Sequence, residues 1–459
     1  MYDLLIKGGF VVDPANDLAG RFDVAIEGKK VAAVTPDLAR HRARQVVEAE
    51  GRWVMPGLVD THVHISAKPE GHRMLARAGV TCALDMAGRP EAMIAGLQKA
   101  GTGLTVGFVY PVIPGETLSG RDPDRGELGR VLDEALGHGA LGVKIVGGHY
   151  PLSPEATARV IQVAHERRRW CAVHTGTTAT GSNIEGLEEL IDLADGLPVH
   201  VAHVNSYCRG QKTGNPLIEA SRALEALARA PRVRSESYLA LINGTNAMVE
   251  NGVPKSNVTQ TCLERGGYDP TAAGMEEAIA AGWAQVHGLR GGEIVLLPPA
   301  EGVDYYRACD SQVYVSFSVN SPSAAIALAL AKNNGAFAIT ALSTDGGGIP
   351  RNDTLRQGLA LVRFGALAVK EFVVKACLNP AWMLGLKTKG HLSPGADADV
   401  VVVDRATDRA EWVVAEGQIV LREGQVVGRG GRLLTTEAGQ DFLNGSGVEN
   451  RLVAADWLQ

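Results

Sequence analysis

The stretch Val54-Met55-Pro56-Gly57-Leu58-Val59-Asp60-Thr61-His62-Val63-His64-Ile65 decides how this chain is read. It predicts a short β-branched strand, approached through a Pro-Gly turn and ending in two histidines on alternate residues. Alternate residues on a strand point to the same side, so His62 and His64 converge at the strand's C-terminal end. Two imidazoles so placed can share one metal ion. A lone His-x-His more often just lines a half-buried strand, so its weight depends on what lies downstream.

Downstream the pattern alternates. Near-continuous apolar strands at Gly79–Met86, Leu104–Val109, Leu141–Val146, Trp170–His174 and Pro198–Val204 are separated by amphipathic helical stretches such as Pro90–Ala100 and Pro154–Arg168. Buried strands spaced by helices mean parallel βαβ units. With Val233–Leu239 and Ala336–Leu342 as the seventh and eighth strands, the expected class is α/β, a (β/α)8 TIM barrel. Upstream, Asp3–Lys7, Phe10–Val12, Asp23–Ile26 and Lys30–Val34 alternate as short strands with Gly and Asp-Pro turns. The far C-terminus repeats that style at Ala398–Asp404, Glu411–Val414 and Gln418–Leu421. The expected division is therefore a composite β-sandwich built from residues 1–55 plus 386–459, around a barrel of residues 56–385. Residues 240–335, rich in Gly, Asn and Pro, are expected to make excursions over the barrel mouth.

Five strand ends carry unusual side chains: His62 with His64, Lys144, His174, His203, and Asp345 in Ser343-Thr344-Asp345-Gly346-Gly347. In a barrel the C-terminal strand ends meet on one face. Singly, each has a bland reading. Lys144 would be a paired barrel lysine, His174 and His203 satisfied core histidines, and Asp345 a helix cap or turn residue. Together they would require five coincidences in order, and the joint functional reading wins. His200, on the same strand as His203, is a candidate supporting group, as are Ser343 and Thr344 for Asp345.

This order of residues resembles the binuclear branch of the amidohydrolase superfamily, and the match spans nearly the whole chain. The resemblance implies two divalent metal ions, with zinc expected from the histidine-rich ligands. It implies that Lys144 carries a CO2-derived carbamate that bridges the metals, since a protonated amine is a poor ligand. His62, His64 and Asp345 would hold one ion and His174 and His203 the other. A hydroxide bridging ions about 3.5–4 Å apart would attack the substrate carbonyl. Asp345 would take the proton and pass it to the leaving nitrogen. Partial resemblances point to D-aminoacylases and isoaspartyl dipeptidases, to hydantoinases, and to the formyl-hydrolysing subunit of formylmethanofuran dehydrogenase. Dihydroorotases carry an arginine two residues after the second histidine, where this chain has Ser66. The substrate-binding candidates are Tyr238 as an oxyanion donor, Arg351 and Arg209 as cations for a substrate carboxylate, and Asn205 as a polar contact.

The bulk numbers agree. Its 459 residues suffice for a barrel plus a satellite, and the net charge of -6 gives no basic face for nucleic acid. No run of 18 or more apolar residues suggests a membrane span, and the six scattered cysteines suit a reducing cytoplasm. The expected protein is a cytoplasmic homo-oligomer, a dimer or tetramer, acting on a small amide. Its rivals are a single-metal deaminase, against which Lys144 argues, and a non-catalytic relative of the dihydropyrimidinases, against which the complete ligand set argues.

Overall fold

The first barrel strand, Leu58–His64, is buried along almost its whole length and hydrogen-bonds a parallel neighbour on each side. The structure, a computed structural model, describes residues 1–454. Seven further parallel strands complete the ring: Val80–Asp85, Thr102–Phe108 continued by Tyr110–Val112, Gly142–Ile145, Trp170–Val173, His200–Val201, Arg234–Ser237, and Ala341–Leu342 continued by Gly346–Gly347. The ring closes because two strands change partners along their length. The third pairs with the second up to Asp85↔Phe108, then with the fourth at Val143↔Tyr110 and Ile145↔Val112. The eighth pairs with the seventh at Ser237↔Leu342, then with the first at Gly346↔Val63. The chain is thus a (β/α)8 barrel with extra β-structure. Outside it, helices such as Gly71–Arg77 and Pro90–Ala100 set Leu75, Met93 and Leu97 against Val106 and Phe108 of the wall. Side-chain caps begin several of them, including Asp124, Ser153 and Asn183.

The two termini share one nine-stranded sheet, in which Val400–Asp404 runs antiparallel to Trp53–Pro56 and Trp53–Pro56 runs parallel to Tyr2–Asp13. That crossing requires Gly9, where an added Cβ would lie 2.3 Å from Val54 Cγ2. Gly57 then turns Trp53–Pro56 directly into the first barrel strand, with room for no side chain beside Thr81. Farther on, Gly430–Thr435 leaves this sheet and adds in parallel to the third barrel strand, with Glu449–Leu452 outside it. Residues 455–459 of the expected C-terminal segment lie outside the described residues.

Two expectations need amendment. Ala336–Phe337 does not begin the eighth strand; it forms a hairpin with Lys332–Asn333 across Asn334 and Gly335, both at positive φ. Asn-Gly is the strongest two-residue hairpin signal, and it overrides the apolar run that follows. The stretch after the seventh strand, expected as loop excursions, contains an antiparallel sheet of Thr245–Asn246, Tyr314–Phe317, Ala284–Arg290 and Glu293–Leu296. Helices Asn257–Arg265, Ala272–Ala280 and Pro299–Ala308 accompany it, and Met275, Ile279, Val286 and Phe317 form its own core. Asn243–Asn246 and Tyr314 bring this insertion to the barrel mouth. Among the described residues no helix is long and apolar enough to cross a membrane.

Candidate metal centre

The strand ends deliver His62, His64, Lys144, His174, His203 and Asp345 to the wall of one cavity of about 360 Å³. Two of these residues sit in left-handed backbone, His203 at φ 33° and Asp345 at φ 50°. Such conformations cost a non-glycine residue about 1–3 kcal/mol and persist where the surroundings enforce them. Here the surroundings are hydrogen bonds: the His203 N–H donates to Glu236 Oε1 at 2.8 Å, and the Thr344 N–H donates to Asp60 Oδ1 at 3.2 Å.

The ligand atoms of His62, His64 and Asp345 all lie within 4.8 Å of one another. His62 Nδ1 lies 2.6 Å from Glu236 Oε1. The Glu236 carboxylate can only accept, so Nδ1 carries the proton and Nε2 presents a lone pair. That lone pair faces Asp345 Oδ1 at 3.2 Å, and His64 Nε2 faces the same oxygen at 2.9 Å. Burial holds His62 below the ordinary histidine value, which disfavours a second proton on its ring. Asp345 is held well below the carboxylate range: burial opposes its charge, but Arg351 and then His62 outweigh it. Two acceptors converging in this way call for a cation between them.

Lys144 is the second telling group. Its Nζ is buried with no hydrogen-bond partner among the described residues, and burial brings its pKa down to about 8 against the pull of Glu236 and Asp345. An orphaned buried amine costs free energy until something occupies it. Conversion to a carbamate would turn it into an anionic oxygen ligand facing the histidines. His174 and His203 stack edge to face at 4.6 Å beside it, both kept neutral chiefly by burial. Neutral imidazole is the form that binds metal.

The sequence reading missed Glu236, which lies under the whole site. Its two oxygens take His62 Nδ1, the His203 N–H and the Ser343 hydroxyl. Burial works against its charge, yet the His62 ring and its hydrogen bond hold it down to about 2. A carboxylate behind a ligating histidine fixes ring orientation and basicity. His149 was also passed over. It stacks against His174 at 4.8 Å and its Nδ1 lies 2.9 Å from Ser256 Oγ, in the cavity wall. His200 is buried 3.8 Å from Glu236 and faces Trp170, without a hydrogen bond of its own. Ser343 and Thr344 orient the Asp345 turn through Glu236 and Asp60 rather than by touching its carboxylate.

Of the substrate-binding candidates, Tyr238 and Arg209 line the cavity. Arg351 and Asn205 do not; they stand behind its wall. Arg351 is 2% exposed, its Nη2 2.5 Å from Asp345 Oδ2, its Nε donating to Asp345 O at 2.6 Å and its Nη1 to Ile242 O at 3.0 Å. Asn205 Oδ1 accepts from Ser237 Oγ and the Tyr238 N–H, so it braces Tyr238.

The pattern that defines the amidohydrolase family matches residues 53–429. The chain belongs to the amidohydrolase family. The curated dihydroorotase of Anaeromyxobacter dehalogenans (strain 2CP-C) is 26% identical over 94% of this chain and 94% of its own length. Among solved structures, N-acyl-D-glutamate deacylase from Bordetella bronchiseptica, complexed with zinc and a phosphonate inhibitor, superposes with a TM-score of 0.67 at 18% identity, covering 94% of this chain and 99% of that one. A chain of the formyltransferase/hydrolase complex from Methylorubrum extorquens superposes with a TM-score of 0.65 at 18% identity, covering 96% and 93%. At that identity the two superpositions speak for the barrel and its extra domain. As a member of the family, this amidohydrolase is a hydrolase of carbon–nitrogen bonds other than peptide bonds.

Proposed function

We propose that this amidohydrolase is a binuclear metal enzyme, in the cytoplasm and as a homo-oligomer, that cleaves the amide bond of a small N-acyl amino acid, dipeptide-like or cyclic amide. The barrel of residues 56–385 would be the catalytic unit, and residues 1–55 plus 386–459 its β-domain. The observation that carries the reading is the pair of donor sets in one cavity: the ligand atoms of His62, His64 and Asp345 close to one another, and the Lys144 Nζ, without a hydrogen-bond partner among the described residues, beside His174 and His203. Zinc fits two histidines with an oxygen ligand, which Asp345 supplies in one set and a carbamate on Lys144 would supply in the other, and the six free cysteines suit a reducing compartment. When bound, the two ions would supply an acidified water and a Lewis-acid contact for the substrate carbonyl.

The chain's own residues do the rest. Asp345 stays deprotonated at neutral pH, so it can accept the water proton and then give it to the leaving nitrogen. Tyr238 Oη already accepts from Asn320 Nδ2 at 3.0 Å and from Arg351 Nη1 at 3.2 Å, so its own proton points to Ser206 or to a substrate oxygen. Tyr238→Phe should lower kcat about 10²-fold with little change in metal content, read by steady-state kinetics and elemental analysis. Glu236→Gln should weaken metal binding about 10–100-fold, read by titration against a competing chelator. Unchanged metal affinity there would remove Glu236 from the centre.

The reading itself is tested by metal content after purification without chelator, together with hydrolysis of N-acyl-D-amino acids, N-formyl compounds, dipeptides and hydantoins. About two ions per chain and turnover of one class are expected. No metal and no turnover after zinc and bicarbonate would overturn the proposal in favour of a non-catalytic protein.

A further inference from the structure

Another cationic side chain, Lys68, lines the same cavity. Lys68 follows the first barrel strand by four residues, and its Nζ reaches across to the insertion, 3.0 Å from His287 Nδ1 and 4.0 Å from the centroid of the Tyr314 ring. His287 Nε2 in turn lies 2.8 Å from Ser316 Oγ. Burial, then the charges of Lys68 and Arg351, keep His287 neutral, so its Nδ1 accepts from the Lys68 ammonium. An ammonium has three N–H groups. One goes to His287 and one side faces the Tyr314 ring, an electrostatic contact suited to a cation. The third is available to a ligand in the cavity.

The other cations around the cavity are differently placed. Arg351 is paired with Asp345, Arg89 with Glu116, and Arg209 Nε donates to Asn320 Oδ1, whose amide supports Tyr238. Lys68, among the described residues, has no carboxylate at ion-pair distance and rests on two neutral rings. Its position is fixed from behind: an added Cβ on Gly348 would lie 2.3 Å from Lys68 Cβ, so only glycine there lets the Asp345 loop run against the lysine stem. The Gly348 N–H also donates to His64 O at 2.8 Å, which ties lysine, loop and ligand strand into one wall.

We infer that Lys68, held between His287 and Tyr314, binds a carboxylate of the substrate and makes this enzyme selective for amides that carry one. The inference rests on the amide-hydrolysing reading above and names the class of substrate within it. Burial already weakens the proton affinity of Lys68, to about 7, and a bound carboxylate would restore its charge. A single compact ammonium between neutral partners matches one monoanion better than a phosphate dianion.

The test compares an N-acetyl amino acid with its carboxamide on the zinc- and bicarbonate-loaded enzyme. Wild type should prefer the carboxylate, and Lys68→Met should cut that preference in kcat/KM by about 10–100-fold, mainly through KM, with two metals still bound. An unchanged ratio would overturn the inference, as would a wild type indifferent to the charge. A second readout needs no turnover. Reductive methylation of Lys68 at pH 7, followed by peptide mass spectrometry, should be slowed by the N-acetyl amino acid and not by its carboxamide. Loss of hydrolysis with selective protection retained would reject the amide chemistry and keep the anion site. Equal protection by both compounds would reject the site.

Discussion

Lys144→Ala is expected to retain one metal ion where two are proposed for the native chain, and to lose amide hydrolysis by at least about 10³-fold, since even an outer-shell partner is worth about 10–100-fold. The fold should not suffer in proportion. Lys144 Nζ has no hydrogen bond to lose, so removing it relieves an unsatisfied buried group while leaving a modest void. A melting temperature near that of wild type, beside a lost metal, would separate this role from a structural one. Short carboxylic acids added to the variant should restore part of the activity by standing in the space of the carbamate. Loading should also depend on pH with a fixed sign. Only the neutral amine reacts with CO2, and with a pKa of about 8 the neutral fraction rises from about a tenth at pH 7 to about nine-tenths at pH 9. At constant dissolved CO2, reactivation of metal-stripped enzyme by zinc should therefore speed up roughly tenfold across that interval. Full turnover by Lys144→Ala without added acid would end the bridging assignment.

What could be read in advance, and what could not, follows from the range of the physics involved. The barrel was legible because buried parallel strands and amphipathic helices each write a local periodicity. The candidate ligands were legible because strand alternation puts His62 and His64 on one face, and because barrel topology collects Lys144, His174, His203 and Asp345 at one end. Glu236 carried a weaker local signal. It stands two residues before Tyr238 on the seventh strand and so shares its face, yet only the packed structure shows His62, the His203 amide and Ser343 meeting there. Lys68, His287 and Tyr314 carried none, since their contact joins the loop after the first barrel strand to an insertion sheet more than 200 residues away in sequence. Arg351 looked like a substrate cation because a glycine-rich loop precedes it. That same loop folds it back onto Asp345. The eighth strand was misplaced at its start for a different reason: an apolar run outweighed the Asn334-Gly335 turn in the reading, while in the molecule the turn decides.

Asp345→Asn is the other substitution expected to be severe, with kcat lowered by about 10²–10⁴-fold, the range for removing a positioned proton-transfer group. The amide keeps an oxygen toward His62 and His64, so metal content should fall less than activity does. The pH profile sharpens the assignment. Burial alone would raise the Asp345 carboxyl, but the Arg351 guanidinium, then the His62 ring, bring it well below the ordinary carboxylate range. A base with its proton affinity lowered in this way is ready at every pH above that depressed value, so it contributes no loss of activity as pH falls from 7 toward the usual carboxylate range. Replacing Arg351 by methionine removes the largest lowering influence and leaves burial to act. The carboxyl should then rise, and the acid limb of kcat should move to higher pH in Arg351→Met than in wild type. An acid limb that stays where it was, in a variant whose metal content and melting temperature show it folded and loaded, would mean that another group takes the proton. A limb shifted upward, together with the loss of kcat in Asp345→Asn, would assign the proton transfer to Asp345 and its setting to the guanidinium behind it.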